Sequence, residues 1–112
     1  FGDYNEAKNI ISLFPKDKLL AVPGNCDTYD VIRLLEDENV NLHAKCKKIN
    51  NLIFCGIGYS LITPFNTPLE LTEEEISNIL KNFEKCDVLI SHTPPYLACD
   101  KLLAKKMLDQ KK

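Results

Sequence analysis

The spacing of apolar positions divides the chain into alternating helices and strands. Ala7, Ile10, Ile11 and Phe14 recur at i, i+3, i+4 and i+7, one face of a helix over residues 5–14 that Pro15 should end. Leu19 to Val22 is an unbroken apolar run between Lys16-Asp17-Lys18 and Pro23-Gly24, as a strand buried on both faces reads. Asp27 or Thr28 can cap a second helix, with Val31, Leu34 and Leu35 as its apolar face and Glu36 to Asn39 as a solvated exit. From Leu42 the period falls to two, with Leu42, Ala44 and Cys46 alternating with His43, Lys45 and Lys47. Asn50-Asn51 then breaks the pattern before Leu52 to Cys55, which predicts an antiparallel hairpin.

Residues 56–71 carry Gly56, Gly58, Pro64 and Pro68 without periodicity, which predicts a long ordered loop holding Tyr59, Leu61, Ile62 and Phe65. Thr72 and Glu75 have capping-box spacing, and Ile76, Ile79, Leu80 and Phe83 follow at helical intervals. Val88-Leu89-Ile90 reads as a second buried strand that delivers Ser91 and His92 before Thr93-Pro94-Pro95 stops it. Leu102, Leu103 and Met107 trace a basic amphipathic helix at the end. Helices alternating with apolar strands, plus one hairpin, predict an α/β domain with a mixed β-sheet and flanking helices.

A chain of 112 residues, 45% hydrophobic and 27% charged, is one ordinary globular domain rather than a disordered, collagenous or coiled-coil segment. The net charge of −2 argues against nucleic acid as a binding partner. Charge is uneven, however: residues 100–112 carry five Lys against two Asp, and the chain before them is acidic. No apolar run approaches the roughly 18 residues of a membrane span, and the start lacks a signal-peptide pattern, so a cytoplasmic chain without a membrane partner is expected. Cys26, Cys46, Cys55, Cys86 and Cys99 are odd in number and form no C-x-x-C pair. They read mostly as buried thiols, not as a disulfide framework or a zinc site.

Chemistry gathers where the two apolar runs end. One delivers Asn25 and Asp27, the other His92, and the carboxyl edge of an α/β sheet is where ligands bind. An amide carbonyl, a carboxylate and an imidazole together suit a divalent metal. Spacing alone reads equally well as a turn at Gly24-Asn25, a helix cap at Asp27 and a hydrogen-bonded strand end at His92. His43, among Lys45 and Lys47, reads as a surface histidine.

The wording around these residues adds a family. Val22-Pro23-Gly24-Asn25-Cys26-Asp27, followed downstream by Ile90-Ser91-His92-Thr93-Pro94-Pro95, resembles the calcineurin-like metallophosphoesterases, and more narrowly a prokaryotic, especially archaeal, phosphodiesterase-like branch. The resemblance extends over roughly residues 1–96 and includes Thr63-Pro64-Phe65-Asn66-Thr67-Pro68. It implies a four-layer α/β/β/α sandwich holding two divalent ions, Mn, Fe, Ni or Zn, and a phosphoester substrate. Asn25 and His92 would ligate one metal, and Asp27 would support them. Cys26 stands where many relatives have a His that assists the reaction, and a thiol does not exchange a proton near pH 7 as an imidazole does. The Cys-bearing branch implies phosphodiesters, so nucleic acid is expected only as such a substrate.

Other family motifs are absent in register: an Asp-x-His strand end and a Gly-Asp pair upstream, and a Gly-His-x-His downstream. Gly2-Asp3 superficially matches the Gly-Asp pair, but no strand precedes it, and the wording through Ala7 resembles the stretch just after that motif in relatives. The chain also opens without Met. A central fragment is therefore expected, with residues 1–97 a partial domain and residues 98–112 a divergent basic tail. It should bind metal weakly or not at all, remain inactive without the missing motifs, and self-associate through exposed sheet edges. A protein-binding scaffold on the same fold, of the kind found in retromer-like assemblies, is the alternative.

Overall fold

The computed structural model describes residues 3–93. Cys99, the expected terminal helix and the expected divergent tail lie outside the described residues. Within them the chain forms α1 (Tyr4–Ile11), a 3₁₀ turn (Lys16–Lys18), α2 (Tyr29–Asp37), β1 (Cys46–Ile49), β2 (Leu52–Ile57), β3 (Ser60–Leu61), β4 (Glu70–Leu71), α3 (Glu73–Asn82) and β5 (Val88–Ser91). Strands β1, β2 and β5 make a mixed sheet in that order, antiparallel between β1 and β2 and parallel between β2 and β5. Strands β3 and β4 pair in parallel as a second, two-stranded sheet. The molecule is a mixed α/β domain, as the alternation of patterns predicts.

The best-packed core lies between α1 and α2, where Ala7, Val31, Leu34, Leu35 and Val40 are buried and Tyr4, Ile11, Leu19 and Ala21 pack against them. Helix α1 starts at Asp3, whose carboxylate accepts from the Asn5 amide, and so Asp3 is a helix cap. The helix stops at Ile11, three residues short of expectation. The Ser12 hydroxyl donates to the Lys8 carbonyl, and the chain turns through Leu13 and Phe14, leaving Phe14 exposed.

Three strand expectations need correction. Residues 19–22 do not form a strand: only Ala21 bridges to Asn41, through bonds to Val40 and Leu42, because among the described residues no ladder extends along this segment. The hairpin begins at Cys46 rather than Leu42, since Ala44 adopts a left-handed φ of 58° and ends the alternation. Its turn follows the pattern, with Asn50 and Asn51 both left-handed at 51° and 67°, the conformation a two-residue hairpin connection needs. Strand β2 runs two residues beyond Cys55, and the expected loop of residues 56–71 contains β3 and β4.

The cysteines also differ from expectation. Register places Cys46 opposite Cys55, and the two form a disulfide. Cys26 and Cys86 are exposed thiols, not buried ones. Helix α3 carries the predicted capping box, with Thr72 Oγ1 accepting from the Glu75 amide and Glu75 Oε1 accepting from the Thr72 amide, each at 3.1 Å. No α3 residue is fully buried. Val88 and Leu89 of β5 are 37% and 38% exposed, so this strand is not covered on both faces among the described residues. No helix is long and apolar enough to cross a membrane among the described residues.

Candidate metal centre

The ends of the two apolar runs meet. His92 Nε2 lies 3.0 Å from Asn25 Oδ1, across 67 residues of sequence. Asn25 is half-buried and His92 exposed, so the pair sits at the rim of the sheet's carboxyl edge and opens to solvent.

Backbone contacts dictate this meeting. Pro23, buried, accepts from the Tyr59 amide at 2.8 Å, and Tyr59 in turn accepts from the Thr93 hydroxyl at 3.3 Å. The Tyr59 backbone, two residues past β2, thus clamps the segments carrying Asn25 and His92. The His92 amide donates to Ile57 at 3.1 Å, which sets the height of its ring. Two glycines permit the approach: a Cβ on Gly58 would lie 2.5 Å from the Pro23 carbonyl oxygen, and one on Gly24 would lie 2.9 Å from His92 Cε1. Asp27 Oδ2 accepts from the Gly24 amide at 2.7 Å, closing the turn that presents Asn25. Cys26 projects from that turn as an exposed thiol.

A second set of residues supports Asn25 without any signal in the sequence pattern. Asn25 Nδ2 donates to Thr67 Oγ1 at 3.0 Å, and the Thr67 hydroxyl donates to Glu70 Oε2 at 2.5 Å. Glu70 also accepts from the Thr63 hydroxyl and from the Thr63 and Thr67 amides. Hydrogen bonds from Thr63, then from Thr67, hold its carboxyl down at about 2. His43, expected at the surface, is half-buried. Its ring stacks on Tyr59 at 4.2 Å and 6°, and Nδ1 accepts from the Gly58 amide at 2.9 Å. Burial lowers its pKa, with a smaller contribution from Lys45. The alternation that predicted an outward His43 fails because the backbone reverses at Ala44.

The chain is similar to an uncharacterized protein of Methanocaldococcus jannaschii, with 52% identity over 83 residues, 70% of this chain. It spans 38% of that relative's length. No family model matches the chain, and no solved structure matches it.

Asn25 and His92 fit a shared cation in donor type and spacing. An amide oxygen and an imidazole nitrogen suit borderline divalent metals, and two cis donors about 2.1 Å from an octahedral ion are about 3.0 Å apart. Without a cation the same distance is a hydrogen bond. Among the described residues no group of three or more His, Cys, Asp and Glu side chains could hold a metal ion.

Proposed function

We propose that the chain belongs to a metal-dependent phosphoesterase of the calcineurin-like kind, with phosphodiesters as substrates. Its sheet would be part of a four-layer α/β/β/α sandwich, and other parts of the whole protein would supply the remaining ligands for two divalent ions. The observation that carries this reading is the 3.0 Å approach of Asn25 Oδ1 to His92 Nε2. Two donors of the type the motif requires converge from segments far apart in sequence, which spacing alone did not demand.

Bound divalent cations would supply acidification of a water molecule and offset of the negative charge that develops on a phosphoester. Asn25 offers a neutral oxygen, which holds a cation without adding negative charge against an anionic diester. His92 offers Nε2 once its proton sits on Nδ1. Asp27 keeps the Gly24–Asp27 turn closed, so Asn25 needs little reordering on binding. The Cys26 thiol beside Asn25 is open to solvent.

The test is turnover of a chromogenic phosphodiester by the whole protein with Mn²⁺. Asn25→Ala and His92→Ala should each reduce the rate to near background, and unchanged turnover in either would contradict the ligand roles. A non-catalytic scaffold is the second reading. It is favoured by the exposed Leu80, Val88 and Leu89 and by the lack, among the described residues, of a larger ligand cluster. It predicts no turnover in the whole protein at any metal concentration.

A further inference from the structure

We infer that Thr67 and Glu70 are positioning residues that determine which end of the Asn25 amide faces His92, an inference that rests on the reading of Asn25 as a metal ligand. An asparagine side chain has an oxygen and a nitrogen of nearly equal size, and only its hydrogen-bond partners decide their places. A cation requires the oxygen.

The Thr67 hydroxyl has one proton. It lies 2.5 Å from Glu70 Oε2, and an ionised carboxylate only accepts, so that proton is committed to Glu70. Facing Asn25, Thr67 Oγ1 can therefore only accept, and the group 3.0 Å away must be the amide nitrogen. The carbonyl oxygen is then left pointing at His92 Nε2. Glu70 is itself over-determined, because both Thr63 and Thr67 donate to it through hydroxyl and backbone N–H. The Leu69 amide donates to the Asn25 carbonyl at 3.0 Å, so the same loop grips Asn25 by backbone as well as side chain. Polarity thus passes in one direction, from carboxylate to hydroxyl to amide to the candidate metal position.

The chain of donors can be broken at its first link. An Ala at position 70 removes the acceptor, which frees the Thr67 hydroxyl proton to bond Asn25 Oδ1 and lets the amide nitrogen turn toward His92. Partners of this kind typically change metal affinity by about 10- to 100-fold.

Two readouts test the inference on Asn25→Ala, Thr67→Val, Thr67→Ser and Glu70→Ala variants of the whole protein: Mn²⁺ affinity from the electron paramagnetic resonance of the free ion, and the Asn25 side-chain amide resonances without metal. Thr67→Val and Glu70→Ala should weaken Mn²⁺ binding about tenfold and move the Asn25 resonances, whereas Thr67→Ser should stay within about twofold and leave them in place. If Asn25→Ala weakens binding but Thr67→Val does not, and the resonances stay fixed, the positioning role falls while the ligand reading stands. If Asn25→Ala leaves affinity unchanged, the ligand reading falls, and the metal-free resonances still decide whether Thr67 and Glu70 orient the amide. Equal losses in Thr67→Ser and Thr67→Val would also overturn the inference, because the hydroxyl would not be what matters.

Discussion

The α1/α2 half and the α3/β5 half carry apolar stripes of similar strength, yet they are packed very differently. Leu34 of α2 is 0% exposed, whereas Leu80, in a comparable place on α3, is 45% exposed. Each of the first two helices covers the other and the 19–22 segment. Helix α3 instead faces a cavity of about 340 Å³ lined by Ile57, Leu61, Ile76, Leu80 and Leu89, among others. Periodicity therefore reports which face of an element is apolar, and burial depends on what that face meets.

The strongest way to break this comparison is a pair of truncations. Leu34→Ala should cost about 3 kcal/mol in urea unfolding and Leu80→Ala less than about 1 kcal/mol, because only the first leaves a closed cavity. Equal losses would mean that α3 is as well covered as α2. Next in size is the hairpin bond. Cys46→Ser should lower stability by about 2.5 kcal/mol under oxidising conditions, from the short loop the disulfide closes, and make no difference under reductant.

A smaller effect sharpens the contrast at α3. With little burial, the helix depends on its cap, so Thr72→Ala should cost about 1 kcal/mol. Faster amide exchange should appear across α3 and leave α2 unchanged.

Acid should act on the molecule in two separate windows. The folded-state pKa of His43 lies below its ordinary 6.5, so the unfolded chain takes up a proton first and stability should begin to fall as pH drops below 6.5. Glu70 is likewise depressed, from 4.5 to about 2, so its contribution is complete above 4.5 and lost as pH falls toward 2. Urea titrations at stepped pH should show both phases, with Glu70→Gln removing the lower one.

Legibility followed the same division between local and distant causes. Asn50-Asn51 announced a hairpin from composition alone, and counting outward from that turn pairs residue 46 with residue 55. The Cys46–Cys55 contact was therefore within reach of the sequence, although the odd cysteine count argued against a disulfide framework. Asn25 and His92 were legible because each comes just after an apolar run. Thr67 and Glu70 were not, since their role depends on how a loop without periodicity folds back onto the 24–27 turn. His43 was misread because a single left-handed residue, Ala44, interrupts an otherwise regular alternation. Equally, nothing in the stripe of Ile76, Ile79, Leu80 and Phe83 said that it would be only half-covered, with Leu80 exposed.

A single cation shared by residues 25 and 92 is the central requirement of the proposed metal centre. Titration of Mn²⁺ into isotope-labelled protein, tracked through side-chain resonances, measures this directly by paramagnetic broadening. The Asn25 amide and His92 ring signals should broaden together and first. Preferential broadening at the acidic start of α3, Glu73 to Glu75, with Asn25 and His92 left sharp, would contradict it.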